Sequence, residues 1–160
     1  MLSVDIICVG KLKDAFFEDA SDEYLKRLKA YCRMTVTEIK AAALPDEPND
    51  TQIAAALEKE GNEILKKIPP SARVVSMCIE GKLYSSEDMG TLFNNVCNSG
   101  CSQIVFIIGG SYGLSENVKK RSDIRMSMSK MTFPHRLARI MLLEQIYRGF
   151  KINAGEKYHK

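Results

Sequence analysis

QIVFIIGGSYGLS, Gln103 to Ser115, decides how the chain folds: a strongly apolar run of six residues leads directly into Gly109, Gly110 and Gly113. A short run of this kind closed by glycines reads as a strand buried on both faces, as in a parallel sheet covered by helices. Glycines at a strand end also let a backbone approach a ligand closely and leave amide donors unobstructed by a Cβ. On its own the loop has two readings of about equal weight, a ligand cradle or a tight turn. No Gly-Lys-Ser/Thr follows, so it is not an ATPase phosphate loop. It also lacks the GxGxxG spacing and later acid of a dinucleotide site.

Upstream, Val4 to Val9 closed by Gly10 reads as a first buried strand. Phe17, Ala20, Tyr24, Leu28 and Tyr31 then recur at helical spacing, with Glu18, Asp22, Glu23, Lys26 and Lys29 on the opposite face. Met34 to Ile39 is threonine- and valine-rich and reads as a second strand. The proline- and acid-rich stretch Leu44 to Asp50 is a loop, and Asn49 with Gln52 offers a capping pair for a helix carrying Ile53, Leu57, Ile64 and Leu65. Pro69 and Pro70 end that helix. Arg73 to Ile79 is a β-branched central strand, and Ser85 or Ser86 caps a helix reaching about Val96. Strand and helix thus alternate, which predicts an α/β fold: a mostly parallel sheet with helices on both faces and ligands at the strands' carboxyl ends.

The 160 residues, 45% of them hydrophobic, suit one domain spanning 1–160. A charged fraction of 27% and net charge of +3 mean that affinity for nucleic acid must come from a local cluster rather than bulk charge. No apolar run approaches the roughly 18 residues needed to span a bilayer, and MLSVDIICVGK lacks a basic flank, so the expected location is cytoplasmic, with no membrane partner. Of five cysteines, Cys8, Cys32 and Cys78 lie in or beside apolar runs. Cys97 and Cys101 have no second pair or nearby histidine to complete a zinc site. Buried thiols are expected and no metal.

Beyond the glycine loop, SMSKMTFPHRLARIMLLEQIYRGFKI (Ser127 to Ile152) alternates small polar residues with methionine and then becomes a long amphipathic helix with an apolar stripe of Leu137, Ile140, Leu143, Tyr147 and Phe150. Arg136, Arg139, Arg148 and Lys151 lie largely off the stripe. Periodicity alone favours a solvated basic face; phosphate or subunit contact is the sharper alternative. His135, after Pro134, reads as a cap or packing residue before a catalytic one. The tail NAGEKYHK ends in Tyr158 and His159, and terminal residues usually lack fixed structure.

These segments in this order, with VGKLKDAFFEDASDEYLKRL (Val9 to Leu28) and CIEGKLYSSEDM (Cys78 to Met89), resemble the RlmH family of SPOUT methyltransferases over the whole chain. The resemblance implies a C-terminal trefoil knot, which no general rule would suggest, and a homodimer with its site at the interface. It implies S-adenosylmethionine held by Met77, Gly109 and the run Met128, Ser129, Lys130, Met131, Thr132 and Phe133. The implied reaction is methylation of N3 of a pseudouridine in 23S rRNA of the large subunit, within assembled ribosomes. Arg148 is expected to act electrostatically, and Tyr158 and His159 to place the base and take its proton. The alternatives are another SPOUT substrate, tRNA or an rRNA ribose, and a ribosome-associated protein that binds without catalysis. Plain Rossmann-type nucleotide binding is a distant third.

Overall fold

In β1 (Ser3–Val9), Val4, Ile6 and Cys8 enter one apolar cluster while Ile7 and Val9 enter another, the period-two alternation of a strand covered on both faces. The computed structural model describes residues 1–160. Four further strands, β2 (Arg33–Ile39), β3 (Arg73–Leu83), β4 (Gln103–Ile108) and β5 (Ile124–Ser127), complete a sheet in the order β2-β1-β4-β3-β5, with every pairing parallel. β4 alternates in the same way, Ile104, Phe106 and Ile108 to one side, Val105 and Ile107 to the other. The expected α/β sheet is therefore present.

Helices α1 (Ala15–Leu28), α3 (Ser86–Asn98) and α5 (His135–Asn153) contribute to the larger cluster; α2 (Asp50–Lys67) and α4 (Glu116–Arg121) contribute to the smaller. Asn49 and Gln52 form the capping box foreseen for α2, and Ser85 with Asp88 forms another at α3, each satisfying amide donors that a helix start leaves orphaned. Phe93 of α3 is buried between Phe150 of α5, stacked at 4.5 Å, and Phe106 of β4, edge-on at 6.4 Å.

Three departures from the sequence reading have local causes. Where a strand ending at Ile79 is expected, β3 runs on to Leu83: Met77 and Lys82 both face Met126, and Cys78, Ile79, Glu80 and Gly81 bulge between them. A Cβ on Gly81 would lie 2.6 Å from the Met126 carbonyl carbon, so only glycine permits this approach of the two strands. Second, α4 and β5 carry no periodic apolar signal because both are short. Third, α5 is not a helix with a free basic face. Arg139 is buried and pairs with Glu38 at 2.8 Å, Arg136 pairs with Asp14, Arg148 with Glu144, and Lys151 with Glu156. A helix packed against both α1 and α3 must bury these stems, and the charges are matched instead of solvated.

Cys8 and Cys32 are buried as expected, and burial pushes their thiols up to about 11 and about 12, leaving them unreactive. Cys78 is only half-buried and Cys97 is exposed, because both leave the core face of their elements. No helix is long and apolar enough to cross a membrane.

Candidate active site

At the carboxyl ends of β3, β4 and β5 lies a cavity of about 830 Å³, where ligands of parallel sheets collect. Three chain segments wall it: the β3 bulge, the glycine loop after β4, and the stretch after β5 that leads into α5.

The glycine loop folds back on itself. Gly110 and Gly113 form an antiparallel bridge, the Gly113 amide donates to the Gly110 carbonyl at 3.1 Å, and Gly113 has φ +85°. Gly109 lies against this turn so closely that a Cβ would stand 2.6 Å from the Gly113 carbonyl carbon. The loop is a tight turn, and its closure shapes one wall of the cavity.

The segment after β5 has irregular backbone held by its own hydroxyls. Ser127 Oγ donates to the Ser129 carbonyl at 2.9 Å, and Ser129 Oγ accepts from the Met131 amide at 3.0 Å. The amides of Ser129, Lys130, Thr132 and Phe133 have no partner within the chain, so they are free to donate to a ligand. Of the residues expected to hold a cofactor, Met77, Gly109, Met128, Ser129, Met131, Thr132 and Phe133 all line the cavity. The Lys130 side chain is exposed and does not.

Sequence reasoning missed Glu80, Lys119 and Tyr112 in the cavity, because no local pattern links them. Glu80 and Lys119 pair at 2.5 Å, and that bond holds the carboxyl below its ordinary range and the ammonium above its own. His135 also lines the cavity, as the first residue of α5. Burial, then the Arg136 and Lys13 charges, lower its pKa. A native state that binds fewer protons than the unfolded chain loses stability as pH falls through the unfolded histidine value of about 6.5, and the loss levels off below the folded value. Melting temperature against pH should therefore decline less steeply below 6.5 in His135→Asn than in the parent chain; parallel curves would refute the assignment.

Arg148, Tyr158 and His159 meet one another but not the cavity. Arg148 Nε and Nη2 donate to Glu144 Oε1 at 2.9 and 2.6 Å, and the guanidinium sits 4.7 Å from the centre of the Tyr158 ring. The Tyr158 hydroxyl donates to Glu144 Oε1 at 3.3 Å, and burial raises its pKa. His159 places Nδ1 3.4 Å from Arg148 and Nε2 2.7 Å from Glu87. The tail is thus docked instead of loose: Glu156 is tied to Lys151 and to the Tyr31 hydroxyl, and Tyr158 packs edge-on against Tyr147.

The parallel sheet thus carries its cavity behind a closed glycine loop and leads into a long terminal helix. The family model described as "Predicted SPOUT methyltransferase" matches residues 2–159, and the chain belongs to that family. More particularly, it is 46% identical over 159 residues to the ribosomal RNA large subunit methyltransferase H of Clostridium kluyveri, covering 99% of this chain and 100% of the relative. The proteins of that name from Clostridium botulinum (strain Alaska E43) and Clostridium novyi are 46% and 44% identical, with the same coverage.

Proposed function

We propose that the chain transfers a methyl group from S-adenosylmethionine to N3 of a pseudouridine in the 23S rRNA of the large subunit, acting on assembled ribosomes in the cytoplasm. The observation that carries this reading is the cavity lined by Met77, Gly109, Met128, Ser129, Met131 and Phe133, in a chain 46% identical along its length to a large-subunit rRNA methyltransferase. The residues present fit such a cofactor. The cavity volume is in the range of small-molecule sites, its walls are apolar and methionine-rich, and free amides after β5 can recognise the edge of a heterocycle. A trefoil knot in the C-terminal half belongs to the same reading.

When bound, the cofactor supplies an electrophilic methyl group on a sulfonium. The chain's own work is to align acceptor and donor and to favour loss of the N3 proton. N3 lies between two carbonyls, so its anion is stabilised by a fixed cation, and the Arg148 guanidinium, held by Glu144 and resting on Tyr158, is preorganised for that task. Tyr158 keeps its own proton at neutral pH, since burial raises its pKa; it orients the base by its ring and hydroxyl. His159, set between Arg148 and Glu87, is the group assigned to accept the proton.

Because this cluster stands outside the cavity of its own chain, the reading includes a homodimer in which one subunit's tail completes the other subunit's cavity. Mixing subunits altered at Gly109 with subunits altered at His159 should then restore part of the activity. No rescue would place the whole site within one chain.

The direct experiment offers labelled S-adenosylmethionine to ribosomes lacking the modification and maps the product. Label at pseudouridine N3 is expected. Arg148→Ala and His159→Ala should each lower the rate about 100-fold or more, with cofactor binding unchanged. Label on a ribose or on tRNA would overturn the substrate assignment.

A further inference from the structure

No residue of the motif Val9 to Leu28 lines the cavity, yet the loop from β1 into α1 touches residues of its wall and of the α5 start beside it. Two contacts and one charge effect place it there. Val9 abuts Gly110 of the glycine loop, where an added Cβ would meet Val9 Cγ1 at 3.3 Å. Asp14 pairs with Arg136 at the start of α5, at 3.5 Å. The Lys13 charge is close enough to act on His135 in the cavity wall.

The loop's conformation is not the one its sequence prefers. Lys13 has φ +64°, the only residue other than glycine in that region, and the Asp14 amide donates back to the Leu12 carbonyl at 2.8 Å, closing a strained γ-turn. Leu12 is buried and anchors the turn, so Lys11 and Lys13, the residues on either side of it, are both exposed. Neither lysine has an ion-pair partner, in contrast to the basic residues of α5. Asp14 stands at the N-cap position of α1 but makes no capping bond; its carboxylate ties the loop to α5 instead. One turn on, Phe16 is 66% exposed, with its ring 4.4 Å from that of Phe17. Strain held in place by an anchor, two unpaired cations and an exposed ring beside a binding cavity form a functional arrangement, since packing alone requires none of them.

We infer that the β1–α1 loop is a second RNA-binding element, in which Lys11 and Lys13 contact phosphates flanking the target nucleotide and Phe16 stacks on an unpaired neighbouring base. The inference rests on the proposed rRNA substrate and adds to it where the strand is held outside the cavity. Cations that track phosphates and an aromatic face that accepts any base are the chemistry of single-stranded RNA recognition.

The test measures equilibrium affinity for assembled ribosomes lacking the modification across a salt series, beside methyl transfer to the same ribosomes. In Lys11→Ala/Lys13→Gly the glycine keeps the turn, so cofactor binding and melting temperature should hold. The slope of log affinity against log salt should become shallower by about 1.5 for two lost phosphate contacts. Phe16→Ala should lower affinity about 5- to 100-fold and raise KM for ribosomes by a similar factor, with kcat at saturation unchanged. Parent-chain slope and affinity in both variants would overturn the inference. So would a loss of affinity with an unchanged slope in the lysine variant, which would indicate contact with a ribosomal protein. A parent chain that binds ribosomes but transfers no methyl group overturns the proposed activity alone, because binding is scored separately; one that does not bind ribosomes overturns both.

Discussion

Gly109→Ala is expected to abolish cofactor binding, with affinity for S-adenosylmethionine reduced at least 100-fold by calorimetry. The added methyl group would stand 2.6 Å from the Gly113 carbonyl carbon and closer still to its oxygen, and neither atom belongs to a side chain that can swing away. The turn from Gly110 to Gly113 must open, moving Tyr112 and Leu114 out of the wall they share with Met77 and Phe133. The damage should stay local, because β4 ends at Ile108 and its core side chains are unaffected. A variant with native melting temperature and native cofactor affinity would show that the loop is not part of the pocket. The neighbouring substitution Gly110→Ala is a useful contrast, since its Cβ meets only a Val9 methyl at 3.3 Å and should be tolerated far better.

Phe93→Ala should produce the largest loss of stability of any single substitution considered, about 3–5 kcal/mol in denaturant unfolding. The ring is almost wholly buried and joins α3 to α5 through Phe150 and to the sheet through Phe106. The backbones nearby are too close to collapse into the space: a Cβ on Gly149 would already lie 2.8 Å from the Phe93 ring, and one on Gly90 would meet Asn153. Against a total stability of about 5–15 kcal/mol, that loss leaves a marginal protein. An effect below about 1 kcal/mol would mean that the α3–α5 contact is not a principal source of stability.

The fold was readable wherever one element carries a complete pattern. Gln103 to Ile108 is apolar enough to be a central strand from its sequence alone, and Asn49 and Gln52 announce their helix by a capping arrangement that needs no other part of the chain. The β3 bulge was not readable, because it exists only where Gly81 meets Met126, 45 positions further along the chain. The same distinction holds for the site. Glycines 109, 110 and 113 signal themselves, as does the methionine- and serine-rich segment before α5. The ion pair of Glu80 with Lys119 depends on tertiary approach. The acids that neutralise α5 likewise come from β2, from the β1–α1 loop and from the tail as well as from the helix itself, so periodicity within the helix showed four unpaired cations where the fold has none.

With β2 and β5 at its margins, the sheet exposes little that another chain could extend. β5 offers four residues, and β2 carries Arg33, Thr35, Thr37 and Glu38 among its seven, so each open row of amides and carbonyls is short or flanked by polar side chains. That matters most before folding is complete. β4 must insert between β1, about a hundred residues earlier, and β3, and such remote closures are slow and leave apolar runs uncovered. The most aggregation-prone segments, those of β1 and β4, occupy the interior of the finished order. Folded molecules therefore meet at short or polar margins, and only those in which β4 has not yet inserted expose the runs of β1 and β4.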